Sequence, residues 1–279
     1  MLGEPRSGTR ERTAYPPPMA RLTGERPMAG ATPDSLLAFH DAGYREMTER
    51  IGPGTVLDVG CGVGEQTSRL SGLGRLVIGV DYDAQTAIDA GREWEPQGLR
   101  FAAMDGAEIA AKGGSIDWAC SSHIIEHFRA PEQHVAELAR VATDRGTALV
   151  ITPNRPADFE NPFHLSLFEA DELESLLALF FHDVTVHGIE GSPELHADFA
   201  QRRASGERLL KLDPLDIRHK IPYSWYVWTY ERVLPVVYRM LGSERTGVGS
   251  GIDASHFFVT DQITPTTPGL FAVASNPRR

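Results

Sequence analysis

Four side chains in this sequence, three histidines and one glutamate, could transfer a proton or bind a metal ion. His123, Glu126 and His127 lie in one segment, H-I-I-E-H, and His164 ends the later segment N-P-F-H. The ordinary pKa of histidine lies near neutral pH, so its ring can take a proton from a hydroxyl group. We predict His127 and His164 as the catalytic residues, because both follow the ends of predicted strands.

The same segment has the spacing H-x-x-E-H of an inverted zinc-protease motif. That motif needs both histidines on one helix face and a third ligand from elsewhere. Here His123 comes at the end of a predicted strand, so we expect it in a turn and expect no metal ion. A simpler interpretation is that Glu126 and His127 cap and pack the turn that follows.

A glycine-rich segment, residues 55–70, reads T-V-L-D-V-G-C-G-V-G-E-Q-T-S-R-L and predicts a strand, a turn and a helix. Its apolar start is typical of a strand buried on both faces. Gly60, Gly62 and Gly64 permit a sharp turn and let a ligand approach the backbone. A dinucleotide-binding loop would read G-x-G-x-x-G, so the spacing G-x-G-x-G argues against a dehydrogenase.

Four successive predicted strands end in residues that could contact one ligand. In α/β sheets, ligands bind beyond the carboxyl ends of the parallel strands. Asp81 lies about twenty residues beyond the first strand, where an acidic side chain can accept both ribose hydroxyls of a nucleoside. The alternative role for Asp81 is to cap the helix at 84–91. The four strand-end residues are Gly60, Asp81, Asp105 and Ser122.

The sequence D-V-G-C-G-V-G, followed by these strand ends, resembles class I S-adenosylmethionine (SAM)-dependent methyltransferases of the type 11 kind. The resemblance covers about residues 45–191 and implies SAM as the cofactor and S-adenosylhomocysteine as the product. It implies that Asp58 helps to hold the loop and the ammonium end of SAM, and that Asp105 lies near the adenine. A non-catalytic protein with this fold is the alternative. The implied cofactor-binding residues are Asp58, Gly60, Gly62, Gly64, Asp81, Tyr82, Asp105, Gly106, Ala107 and Ser122.

A second resemblance suggests the methyl acceptor. The segment T-G-E-R-P-M-A-G, with His40, Tyr44 and the N-P-F-H segment, resembles methyltransferases of bacterial glycan and O-antigen clusters, although Met28 and Ala29 depart from their pattern. It implies O-methylation of a saccharide, a glycosylated metabolite or another small secondary metabolite. N- or C-methylation of a small metabolite stays open as the alternative.

A divalent metal ion is a further possibility, which we do not expect. Some quinone-biosynthesis O-methyltransferases have Glu-x-x-Glu-His at the equivalent segment and use such an ion. This sequence has His123 in place of the first of those glutamates.

Strands alternate with helices along the chain, which predicts an α/β fold. We expect a Rossmann-like seven-stranded sheet of the class I methyltransferase type, with helices on both faces and a helical insertion between strands six and seven. The sixth strand is predicted at 184–187 and the seventh at 270–274. The expected organisation is a disordered tail at 1–20, an arm and helix at 21–54, a SAM-binding core at 55–189, a helical cover at 190–256, and the last strand and C-terminus at 257–279.

The composition of the chain limits the kinds of partner that it is expected to bind. The 279 residues carry a net charge of −11, which argues against nucleic acid, and no apolar run reaches the length of a membrane span. Two cysteines, Cys61 and Cys120, favour a reduced, cytoplasmic protein. Adjacent aromatic residues in the cover could stack on a sugar ring, pack the cover onto the sheet or form a homodimer contact. These are Tyr223, Trp225, Tyr226, Trp228 and Tyr230.

Overall fold

The computed structural model describes residues 32–158, 161, 163–210, 232 and 251–279. The predicted tail and most of the arm therefore lie outside the described residues, together with the T-G-E-R segment and Pro162. The aromatic group of the cover, at 223–230, lies outside them too.

One eight-stranded sheet forms the centre of the protein, in the order β3-β2-β1-β4-β5-β8-β6-β7. Strands β1 to β5 are mutually parallel, β8 runs antiparallel between β5 and β6, and β7 is antiparallel to β6. The strands are β1 Thr55–Val59, β2 Leu76–Asp81, β3 Arg100–Ala103, β4 Ile116–Ser122, β5 Ala142–Pro153, β6 Phe181–Gly191, β7 Phe257–Thr260 and β8 Gly269–Pro277.

The predicted fold class is confirmed, but the predicted number of strands is wrong. A short strand, β7, pairs with the end of β6 from Gly188 to Gly191 and forms one edge of the sheet. From the sequence, residues 257–260 are expected within the C-terminal segment, and no strand is predicted there. Four residues carry too little periodicity to predict a strand, and only the pairing with β6 defines it.

Helices cover both faces of the sheet. Apolar residues of α1 pack with Leu149, Ile151 and Phe271 in one hydrophobic cluster, whereas those of α4 and α5 pack with Val150 and Ala272 in another. Successive residues of a strand point to opposite faces, so neighbouring residues of β5 and β8 serve the two clusters. The helices are α1 Asp34–Thr48, α2 Glu65–Ser68, α3 Ala84–Trp94, α4 Pro131–Val141, α5 Ala170–Ala178 and α6 Pro193–Leu210.

The start of the predicted cover is helical. Helix α6 begins two residues after β6 and continues to Leu210. Most of the remaining cover lies outside the residues that the structure describes. Within the described ranges, no helix combines the length and the apolar character that crossing a membrane requires.

Candidate functional site

The glycine loop after β1 turns sharply and is fixed to the end of β2. Gly60, Gly62 and Gly64 have φ angles of 78°, 53° and 80°, in the left-handed region that favours glycine. The N–H groups of Gly60 and Cys61 both donate to the carbonyl of Val80. A Cβ atom on Gly60 would lie 1.5 Å from Cδ1 of Ile124, so the loop packs directly against the turn after β4.

Asp81 connects the glycine loop to the end of β2. Its Oδ2 accepts a hydrogen bond from the N–H of Gly62 at 3.1 Å, and its Oδ1 accepts one from the N–H of Asp83 at 2.9 Å. Asp83, not Asp81, caps α3 by accepting from the N–H of Thr86. The helix-cap interpretation of Asp81 is therefore wrong. Its contact with ribose stays a prediction, as does that of Tyr82, whose side chain is exposed.

Asp58 is fully buried and joins two helices to β1. Tyr44 of α1 lies with its hydroxyl 3.0 and 3.1 Å from the two carboxylate oxygens, and the Thr67 hydroxyl of α2 donates to Oδ2 at 2.6 Å. Burial raises the pKa of Asp58 to about 6, although these hydrogen bonds oppose the shift. The carboxylate thus anchors the helix that follows the glycine loop, and its contact with the ammonium group of SAM stays a prediction.

The turn after β3 is held by a buried histidine that is not among the predicted site residues. His134 lies with Nδ1 2.8 Å from the carbonyl of Gly106 and with Nε2 2.9 Å from the Ser121 hydroxyl. Since a carbonyl only accepts, Nδ1 carries the proton and Ser121 donates to Nε2. Burial lowers the pKa of His134 to about 4, against the opposing effects of Gly106 and nearby carboxylates, so the ring is neutral at pH 7. Its position beside Val135, on the inward face of α4, is the signal that could have found it.

The remaining predicted cofactor residues lie at the same carboxyl edge. Asp105 accepts a hydrogen bond at Oδ1 from the N–H of Ala107 at 2.8 Å, which closes the turn that contains Gly106. Ser122 ends β4, and its hydroxyl is buried without a hydrogen-bond partner in the described part of the chain. Their contacts with SAM stay predictions.

Glu126 is the centre of the polar cluster beyond β4. It is fully buried in a short 3₁₀ turn, Ile125–His127. Its Oε2 accepts from the Thr152 hydroxyl at 3.1 Å, whereas Oε1 has no hydrogen-bond partner among the residues described and lies 3.5 Å from Nδ1 of His123. The backbone carbonyl of Glu126 accepts from the N–H groups of Leu165 and Ser166. This pairing fixes the segment that carries His164 against the turn.

Glu126 is ionised despite its burial. Burial by itself would raise its pKa, but the close polar contact with His123 and the charges of His127, His123 and His164 outweigh that effect. The pKa of Glu126 is therefore lowered to about 2. Within the part of the chain that the structure describes, the groups that stabilise this negative charge are histidines and not lysine or arginine.

The rings of His127 and His164 lie side by side, with centroids 5.4 Å apart. His127 lies with Nδ1 2.9 Å from the carbonyl of Phe163, so Nδ1 donates and Nε2 keeps its lone pair. His164 places Nδ1 3.0 Å from the carboxylate of Asp158. Its Nε2 faces the amide nitrogen of Asn161 at 3.0 Å, because Oδ1 of Asn161 accepts from the N–H of Phe163.

The environment of His164 shifts its pKa upward. Burial lowers it, but the hydrogen bond to Asp158 and the negative charges of Glu126 and Asp158 prevail. His164 is therefore drawn toward its charged form by two carboxylates. The structure brings together the two histidines predicted as catalytic, whose roles stay predictions.

His123 lies close to the pair but not in the geometry of a zinc protease. It has a φ of 54° directly after β4, and no α-helix carries the H-x-x-E-H segment. Its ring contacts His40 of α1, with centroids 4.2 Å apart. Burial, together with the charges of His123 and His127, holds the pKa of His40 well below its usual range, against the opposing charge of Glu126.

A three-ligand arrangement for a metal ion is nevertheless present. One carboxylate oxygen of Glu126 and one ring nitrogen each of His127 and His164 all lie within 4.8 Å of one another. This set differs from the H-x-x-E-H set, since it uses His164 in place of His123.

Sequence comparisons identify the central part of the chain. Residues 57–150 match the family described as methyltransferase domain. A probable SAM-dependent methyltransferase of Mycolicibacterium smegmatis is 32% identical over 163 residues, which cover 56% of this chain and 63% of that protein. A ubiquinone biosynthesis O-methyltransferase of Bartonella quintana is 29% identical over 103 residues, 36% of this chain and 41% of that protein. The matches thus span less than two thirds of these relatives.

Solved structures with a similar fold extend over most of the chain. A SAM-dependent methyltransferase of Thermotoga maritima, titled a possible histamine N-methyltransferase, has a TM-score of 0.55 at 12% identity, covering 87% of this chain and 91% of its own. The cyclase SpnF has a TM-score of 0.53 at 16% identity, covering 86% of this chain and 81% of its own. At these identities the likeness concerns the fold alone. The family match, together with the glycine loop and the strand-end residues, places a SAM-dependent methyltransferase domain of the class I type in the central part of this chain, at residues 57–150.

Proposed function

We propose that this protein transfers the methyl group of SAM to a hydroxyl group of a saccharide, a glycosylated metabolite or another small secondary metabolite. The observation that carries the proposal is the cluster of Glu126, His127 and His164. Glu126 and His127 lie in the turn after β4, which packs against the glycine loop through Ile124, and His164 lies beside them. The cluster brings ionisable groups to the edge of the sheet where the methyl donor is expected.

The reaction is an in-line displacement at carbon. The bond between the SAM sulfur and the methyl group breaks with its electron pair left on sulfur, while the acceptor oxygen forms a bond to the methyl carbon. SAM supplies an activated methyl group, so the protein has to align the acceptor and receive its hydroxyl proton. In the metal-free protein, Nε2 of His127 offers the lone pair for that proton, because Nδ1 already donates to Phe163.

A hydroxylated acceptor suits the groups around the cluster. Asp158, Asn161 and His164 form a hydrogen-bonded group beside His127, and such side chains can donate to and accept from several hydroxyls. The resemblance of the N-P-F-H segment to glycan methyltransferases supports the same class. The chain's net charge of −11 supports a small acceptor rather than nucleic acid.

A cytoplasmic location and a homodimer belong to the same proposal. Both cysteines are free and buried, which suits a reducing compartment. The aromatic group at 223–230, which could form the dimer contact or stack on a sugar ring, lies outside the described residues. Size-exclusion chromatography with light scattering would test the oligomeric state.

Transfer of a labelled methyl group tests the function. Calorimetry with SAM, S-adenosylhomocysteine and NAD should show binding of the first two alone. Incubation with methyl-labelled SAM and panels of saccharides, glycosides and amines should label a hydroxyl, located by mass spectrometry and NMR. Because one protein of similar fold is named a cyclase, SAM binding by itself does not suffice. Labelling confined to amines or carbon atoms would contradict O-methylation and favour the N- or C-methyltransferase alternative.

A further inference from the structure

The donor atoms of Glu126, His127 and His164 have the separations that ligands of one metal ion require. Bonds from zinc to nitrogen or oxygen are about 2.0–2.2 Å long, so two ligands of one ion lie at most about 4.4 Å apart. The three donor atoms all lie within 4.8 Å of one another. Small rotations of the side chains would therefore bring them into coordination distance.

Both histidines have the outer partners that metal-binding histidines usually have. A ligating histidine commonly donates its second ring N–H to a backbone carbonyl or a carboxylate, which directs the other nitrogen at the ion. Nδ1 of His127 lies 2.9 Å from the carbonyl of Phe163, and Nδ1 of His164 lies 3.0 Å from Asp158. The Nε2 atoms are therefore the ligand atoms. At His164 the ion would replace the amide of Asn161.

The charges of the cluster also suit a cation. Glu126 is fully buried, and its Oε1 has no hydrogen-bond partner in the described ranges, although Nδ1 of His123 lies 3.5 Å away. Asp158 contributes a second carboxylate through His164. A buried carboxylate oxygen without a partner is costly unless something else satisfies it, and a divalent cation would do so.

We propose that Glu126, His127 and His164 bind one divalent transition-metal cation of the Zn²⁺ kind. Two imidazole nitrogens with one carboxylate oxygen suit first-row transition metals, whereas Mg²⁺ and Ca²⁺ prefer oxygen ligands alone. Three protein ligands leave a coordination position open for a further molecule. Binding of the cation does not depend on the proposed function.

The use of the cation in catalysis does rest on the proposed function. The acceptor hydroxyl would occupy the open position, where the cation lowers its pKa so that the proton leaves to a solvent water. The resulting alkoxide then attacks the methyl carbon. His127 acts in this case as a ligand rather than as the group that takes the proton.

Direct titration of the purified protein, stripped with a chelator, tests the site. Isothermal calorimetry with Zn²⁺ should show one tight site per chain, and Co²⁺ should give a visible ligand-field spectrum. Each of Glu126→Gln, His127→Gln and His164→Gln should weaken Zn²⁺ binding by 100-fold or more, and Asp158→Asn, which alters an outer partner, by about 10- to 100-fold. His187→Gln is the matched control and should leave binding unchanged, because His187, on β6, forms a similar pair with Asp261 away from the cluster.

The outcomes separate this proposal from the proposed function. Unchanged Zn²⁺ affinity in His127→Gln and His164→Gln, or binding of Mg²⁺ alone, would overturn the cation site and leave direct proton uptake by His127 as the mechanism. Melting temperature checks folding, and if Glu126→Gln does not fold, the two histidine variants and Asp158→Asn decide. Zn²⁺ binding without any methyl transfer would keep the site and refute the proposed function.

Discussion

At the scale of single residues, the chemistry of the site depends on which atom of each side chain already forms a hydrogen bond. His127 has one ring nitrogen bound to a carbonyl and the other available, whereas both nitrogens of His164 have partners. Asp81 and Asp83 lie only two residues apart, but Asp81 accepts a hydrogen bond from Gly62 of the glycine loop, whereas Asp83 caps α3. Substitutions at these positions should therefore separate catalysis, cofactor binding and folding.

Replacement of His127 should affect turnover and spare cofactor binding. We expect His127→Gln to lower kcat by about 10²–10⁴-fold, the usual contribution of a proton-transferring group, with an unchanged Kd for SAM. His164→Gln should have a smaller effect, because its Nε2 is engaged by Asn161. Steady-state kinetics measure kcat, and calorimetry measures the Kd for SAM. Full activity in both variants would eliminate histidine from catalysis.

Asp81 and its neighbour Asp83 form a matched pair. Asp81→Ala should weaken SAM binding by about 1.5–3 kcal/mol for each charge-assisted hydrogen bond to ribose that is lost. Asp83→Ala should instead cost about 0.5–2 kcal/mol of the free energy of unfolding, because it removes the cap of α3. Calorimetry with SAM and urea denaturation measure the two effects. Equal SAM affinity in the two variants would contradict the ribose contact of Asp81.

Two buried groups should make opposite contributions to the pH dependence of stability. The pKa of Asp58 rises from 3.8 to about 6 on folding, so its contribution is lost as the pH rises through 6. The pKa of His134 falls from 6.5 to about 4, so its contribution is lost as the pH falls from 6.5 toward 4. Between pH 4 and pH 6 the two contributions offset each other.

Variants should reveal this compensation. In Asp58→Asn, the free energy of unfolding should rise more steeply from pH 4.5 to 6 than in the natural protein, and in His134→Gln it should rise less or fall. The difference for each group amounts to about 3 kcal/mol over the full window, at 1.4 kcal/mol for each pKa unit. Urea denaturation across this pH range supplies the slopes. Parallel curves for all three proteins would show that neither group titrates as described.

At the scale of elements, the glycine loop and the turn after β4 act as one unit. Gly60 approaches Ile124 so closely that no side chain fits between them, and Gly62 has open space around it. Both have left-handed backbones, with φ of 78° and 53°. The two glycines therefore differ in packing while sharing the same backbone requirement.

Alanine at these two glycines should separate steric overlap from backbone strain. Gly62→Ala should cost about 1–2 kcal/mol of stability, the usual penalty for a left-handed backbone. Gly60→Ala should cost about 1–3 kcal/mol more, because its Cβ would overlap Ile124. Adding Ile124→Ala to Gly60→Ala should recover part of the second cost. Thermal unfolding and a double-mutant cycle test this, and equal losses in both single variants would refute the contact.

At the scale of the whole molecule, one edge of the sheet collects side chains from distant parts of the chain. Gly60, Asp81, Gly106 and Glu126 all end or follow parallel strands, and the segment with His164 returns to Glu126 through backbone hydrogen bonds. Helix α1 adds His40 and Tyr44 from the other side. The predicted arm before α1 is expected to continue along this edge.

Deletion of residues 1–30 should therefore reduce turnover more than cofactor affinity. We expect the arm to contact the acceptor, and an ordered cover fixes the acceptor against the methyl group. The truncated protein should bind SAM with an unchanged Kd and show a raised KM or a lowered kcat for the acceptor. Loss of SAM binding with preserved folding would place the arm on the cofactor instead.

The sequence by itself determined the α/β fold, the glycine loop and the position of the strand-end residues. These features are encoded locally, because a buried strand, a G-x-G-x-G turn and a following helix each have a signature within a few residues. The parallel topology then brings the strand ends to one edge. For this reason Gly60, Asp81, Asp105 and Ser122 could be predicted together.

Only the tertiary structure decided how these side chains pair. Three findings depend on contacts between residues far apart in the chain: Asp81 accepts a hydrogen bond from Gly62, His134 holds the turn at Gly106, and Glu126 keeps one oxygen without a hydrogen-bond partner among the described residues. Strand β7 exists through its pairing with β6. Burial sets the pKa values of Asp58 and His134, and burial is a property of the packed molecule that no local pattern encodes.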